Sequence, residues 1–176
     1  MSKIMLYCLP RSKSGVIFNS LKPLARALDM EIYNHHDGEY YYLNNKEVKS
    51  NLFCKIEPRT NIEPIINKLK DYHWFVTTRE FEPFCLSFAY AHQKNKWVNR
   101  STIIEEWFMS DDTYNYALET FNKHLKDIKL IKKYAANTIL NYKEITDNYK
   151  GIETYHIERP YAEKLINFEK FFGERK

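Results

Sequence analysis

A chain of 176 residues with 44% hydrophobic residues can fill one sizeable core, and 27 Lys+Arg against 23 Asp+Glu leave a net charge of only +4, which weakens a nucleic-acid role. Four scattered glycines, Gly15, Gly38, Gly151 and Gly173, exclude a GxGxxG dinucleotide turn, and no GxxxxGK[ST] Walker loop occurs. The early apolar run is too short for a secretory signal, no stretch approaches the roughly 20 apolar residues of a membrane span, and Cys8, Cys54 and Cys85 read as reduced, buried thiols, so a single cytoplasmic domain over 1–176 is expected.

Residues 3–9 (KIMLYCL) form an apolar run stopped by Pro10 and predict a buried strand. The polar loop 10–15 follows, and apolar residues at helical spacing predict a helix over 16–29, with Pro23 near its start or bending it. A second strand is predicted at 30–33, then a polar, tyrosine-rich stretch without a clear period, then a strand at 52–56. Asn61 suits the cap of a helix through Ile62, Ile65, Ile66 and Leu69, and HWFVTT at 73–78 is the strongest strand. Helices are expected over 80–93, 103–109 and 113–134, a short strand over 138–142, and an amphipathic helix over 161–172. Alternating strands and helices predict an α/β fold, a three-layer sandwich around a central parallel sheet.

Two segments offer chemistry. A strand that runs through a polar loop into a helix presents backbone amides and a positive dipole end, and Arg11, Ser12, Lys13 and Ser14 add two cations and two hydroxyls there, a combination suited to phosphate or sulfate. Arg79 directly follows the strand HWFVTT, and Ser87 lies eight residues on. An arginine at the carboxyl end of a parallel strand stands where open α/β sheets bind ligands.

Together these segments resemble the PAPS-dependent sulfotransferase family. KIMLYCLPRSKSG is similar to its 5′-phosphosulfate loop, with Lys13 where the family usually carries glycine, and TTREFEPFCLSFAYA is similar to its 3′-phosphate motif. ILNYKEI at 139–145 resembles its late strand ending in Tyr-Glu-Asp-Leu. The resemblance implies a P-loop-like nucleotide-binding core, PAPS (3′-phosphoadenosine 5′-phosphosulfate) as sulfuryl donor, and no metal. It places Arg11 on the transferring group, Ser12, Lys13, Ser14 and Gly15 around the 5′-phosphosulfate, and Arg79 and Ser87 on the 3′-phosphate. Glu57 takes the place of the family's histidine base, with His35 and His36 as alternatives. The acceptor is a small molecule or glycan. Two other functions stay open: a nucleotide or phosphate-group transferase, and a nucleic-acid-binding module using Lys94, Lys96, Arg100 and the lysines of 123–133, whose plainer role is a solvated face.

Overall fold

The structure is a computed structural model that describes residues 2–33, 51–58, 61–95, 103–148 and 161–174. In chain order its first elements are β1 (Ile4–Cys8), α1 (Ser14–Ala27), β2 (Glu31–Ile32), β3 (Leu52–Phe53), β4 (Lys55–Ile56), α2 (Glu63–Lys68) and β5 (His73–Thr78). Then come α3 (Phe81–Gln93), α4 (Asp111–Tyr134), β6 (Ala136–Asn141), α5 (Tyr142–Asn148), α6 (Tyr161–Lys164) and α7 (Phe168–Phe172).

Every residue of β1 is buried, as expected of a central strand covered on both faces. The sheet order is β4-β1-β5-β6, all parallel, with Leu6 opposite Lys55 on one side and opposite Phe75 on the other. Strands β2 and β3 form a second parallel pair. Only Cys54 separates β3 from β4, and its carbonyl accepts from the Leu6 amide at 3.4 Å. The segment 52–56 thus behaves as one kinked strand linking the pair to the main sheet.

Helices cover both faces. On one, Phe18 of α1 stacks on Phe53 with ring centroids 5.1 Å apart. On the other, the Trp74 indole donates to the Leu69 carbonyl beyond α2, and the Tyr7 hydroxyl donates to Asp127 of α4. The predicted α/β architecture with a central parallel sheet is therefore present. No helix among the described residues is long and apolar enough to cross a membrane.

Chain direction locates the crevice. From β1 the chain crosses through α1 to β2 on one side of the sheet, whereas from β5 it crosses through α3 and α4 to β6 on the other. The two connections diverge at the carboxyl ends of β1 and β5, the topological switch point at which open sheets leave room for a ligand.

Some expectations need correction. Residues 103–109 form no helix: Trp107 bridges Leu165, with Trp107 N donating to Lys164 O at 3.0 Å and Ile166 N to Trp107 O at 2.9 Å. The Asn167 amide also brackets the Met109 backbone, giving to its carbonyl at 2.9 Å and accepting from its N–H at 3.0 Å. That strand-like bridge takes residues 165–167 out of helical geometry and splits the predicted 161–172 helix into α6 and α7. Helix α1 runs through Pro23 to Ala27, and the strand predicted at 138–142 ends at Asn141, with Tyr142 opening α5. The three cysteines are buried and form no disulfide, as expected, and burial pushes the Cys85 thiol up to about 12.

His124, which has no obvious role in sequence, is fully buried in α4 and stacks on Tyr7 with centroids 5.3 Å apart. Neither ring nitrogen has a hydrogen-bond partner among the described residues. Burial lowers its pKa to about 3 from 6.5. Above pH 6.5 the ring is neutral in both folded and unfolded chains and adds no pH dependence. Between 6.5 and 3 only the unfolded chain binds the proton, so stability falls as pH falls, by about 1.4 kcal/mol per pH unit for one proton. Urea denaturation across that window is expected to show this slope in the wild type and a slope shallower by about one proton in His124→Phe, which keeps the stack.

Candidate functional site

The loop leaving β1 is locked to β5 before it turns. Leu9 N donates to Thr77 O at 3.1 Å. Ser12, fully buried, donates from Oγ to the Leu9 carbonyl and shares a 2.6 Å hydrogen bond with the Thr77 hydroxyl. Around it Arg11 (φ 64°) and Lys13 (φ 59°) are left-handed, a conformation costing non-glycine residues about 1–2 kcal/mol each. A left-handed residue followed by a right-handed helix turns successive N–H groups toward one concavity, a nest suited to an anion. Helix α1 starts there at Ser14; the Val16 amide already donates to the Lys13 carbonyl at 2.9 Å, whereas those of Ser14 and Gly15 have no intrahelical acceptor by construction.

Arg79 closes the crevice from β5. Its Nη1 donates to the Arg11 carbonyl at 3.2 Å and lies 3.5 Å from Ser87 Oγ, which itself donates to the Phe84 carbonyl at 3.1 Å. The eight-residue step from strand end to helix face thus brings Arg79 and Ser87 together. The structure also brings both beside the β1–α1 loop, which neither segment predicts alone.

Two aromatic residues that the sequence does not single out as site residues complete the wall. Tyr142, the first residue after β6, lies under the Arg79 guanidinium at 3.9 Å from the ring centroid, with Lys13 Nζ at 4.7 Å. An aromatic ring against two cations offsets part of their repulsion. Tyr161 of α6 accepts a 3.2 Å hydrogen bond from Arg11 Nη2. The signal available for Tyr142 was its place at the end of the last parallel strand, on the edge that carries Arg79. No local signal marks Tyr161, 150 residues from Arg11 in sequence.

Glu57 follows β4, the strand beside β1, and so stands at the same carboxyl edge. It is buried and paired with Lys55, N···O 2.7 Å. Gly15 is exposed, and a Cβ there would meet nothing within 4 Å, so the fold itself does not demand glycine. His35, His36, Tyr40, Tyr41, Tyr42, Lys96 and Arg100 lie outside the described residues. Of the lysines on α4, Lys123 pairs with Asp127 at 2.7 Å. Among the described residues no group of three His, Cys, Asp or Glu side chains is placed to hold a metal ion.

The loop's anchorage can be measured. Ser12→Ala leaves the Thr77 hydroxyl and the Leu9 carbonyl without their buried partner, and it is expected to cost about 1–3 kcal/mol in chemical denaturation. Thr77→Val made in that background should then cost less than it does in the wild type, because the bond it would break is already gone.

Neither a protein-family model nor a curated protein matches the chain.

Proposed function

We propose that the crevice between the carboxyl ends of β1 and β5 binds PAPS and that the protein is a sulfotransferase acting on an acceptor hydroxyl or amine. The observation that carries this is the convergence of the β1–α1 loop with Arg79 and Ser87, through the 3.2 Å bond from Arg79 to the Arg11 carbonyl. Supporting it, Lys13 stands where the family's loop usually has glycine, and its left-handed φ of 59° is a conformation glycine adopts without penalty.

The donor set fits the group. Arg79 would offer a planar cation to the 3′-phosphate, the match that makes arginine a good phosphate ligand, and Ser87 its hydroxyl once turned from the Phe84 carbonyl. Arg11, Lys13, Ser14 and the backbone amides of Ser14 and Gly15 would hold the 5′-phosphosulfate, with Gly15 leaving space beside them and Ser12 holding the loop in place. PAPS, when bound, supplies the sulfuryl group, which leaves the 5′-phosphate for the acceptor. The residues do the rest by electrostatics: Arg11 and Lys13 hold the charge that builds on the transferring and leaving oxygens. Glu57 accepts the proton of the acceptor, with Lys55 fixing its carboxylate.

Differential scanning fluorimetry ranks the possible ligands, because a ligand bound only by the folded chain raises its stability by mass action. Adenosine 3′,5′-bisphosphate is expected to stabilise the protein more than ATP or a single-stranded oligonucleotide, and Arg79→Ala to weaken its binding by about tenfold or more. Stabilisation by the oligonucleotide alone, steeply salt-dependent, would refute the proposal. Glu57→Gln is expected to slow acceptor-dependent release of bisphosphate from PAPS by about 100-fold or more while leaving bisphosphate affinity nearly unchanged. Unchanged turnover removes Glu57 as base.

A further inference from the structure

The Arg11 backbone is strained and its side chain is long, yet both are tied down. The carbonyl accepts from Arg79, and the guanidinium donates through Nη2 to the Tyr161 hydroxyl at 3.2 Å. Left-handed backbone at a non-glycine residue persists only when its surroundings over-determine it, and such strain gathers at working sites.

Tyr161 is itself fixed. It is 8% exposed, its ring packs on Tyr90 with centroids 5.3 Å apart, and its carbonyl accepts from Trp107 Nε1 at 3.1 Å. Trp107 in turn is held by the bridge to Leu165. None of these contacts uses the phenol oxygen. The ring fills the aromatic core, whereas the hydroxyl reaches Arg11.

Resting on the nucleotide proposal above, we infer that Tyr161 is a positioning residue whose hydroxyl sets the Arg11 guanidinium for an oxyanion, so that α6 completes the phosphosulfate end of the site. The choice of a phenol has a physical reason. A carboxylate in its place would pair with Arg11 and oppose the charge that an anion needs, while a neutral phenol orients one N–H of the fork and adds no opposing charge. Ordering a flexible arginine before the ligand arrives removes that entropic cost from binding.

The test is isothermal titration of the whole protein with inorganic pyrophosphate and with adenosine 3′,5′-bisphosphate, in wild type, Tyr161→Phe, Arg11→Ala and the double variant. Phenylalanine keeps the ring contacts, so the thermal midpoint without ligand should barely move. Pyrophosphate binding should weaken by about threefold to tenfold in Tyr161→Phe, and Tyr161→Phe should have no further effect once Arg11 is alanine. Equal affinity in wild type and Tyr161→Phe overturns the role of Tyr161. So does an equal loss with and without Arg11, which marks a merely structural hydroxyl. If pyrophosphate shows the expected coupling but the bisphosphate does not bind, the nucleotide proposal fails and Tyr161 keeps its role. If wild type binds no oxyanion at all, both fall.

Discussion

The seam between β1 and β5 governs this protein. Parallel pairing from Ile4–His73 to Cys8–Thr77 puts the ends of both strands level, and the Ser12–Thr77 hydrogen bond extends that seam past the last paired residue. A chain leaving the sheet there must turn sharply to enter α1. It does so through two left-handed residues that are neither glycine nor asparagine. The seam supplies the contacts that hold them, and the same turn aims helix amides and cations at the crevice.

Collecting Arg11, Lys13 and Arg79 at one edge carries an electrostatic cost, since like charges repel and each loses some hydration. The surroundings offset part of it. Tyr142 places a π face against Arg79 and Lys13, the Arg11 carbonyl accepts from Arg79, and the Tyr161 oxygen accepts from Arg11. These three partners are neutral and add no opposing charge of their own. Glu57, an acidic group at this edge, is paired with Lys55.

Much of this was legible in the sequence, for identifiable reasons. Strands buried on both faces read as unbroken apolar or β-branched runs, so β1 and β5 stand out, and their alternation with helices predicts the parallel sheet. Arg79 and Ser87 could be paired because a strand end and the next helix are close in sequence. Contacts between distant segments leave no such trace: Tyr142 and Tyr161 reach the site only through the order of β5 and β6 and the packing of α6. The stretch 103–109 shows how spacing misleads. Ile103, Ile104, Trp107 and Phe108 recur at helical spacing, yet the bridge to Leu165 and the Asn167 clamp hold Trp107 and Met109 outside a helix. His124 lies in a helix predicted correctly, but its burial against Tyr7 depends on how α4 crosses the sheet, which no local pattern records.

The central claim is that one ligand bridges the β1–α1 loop and Arg79. A crystal structure of the protein with adenosine 3′,5′-bisphosphate tests it most directly. The account predicts density across the carboxyl ends of β1 and β5, with the 3′-phosphate on Arg79 and Ser87 and the 5′-phosphate at the start of α1. Density elsewhere on the molecule, with the loop and Arg79 untouched, would contradict it.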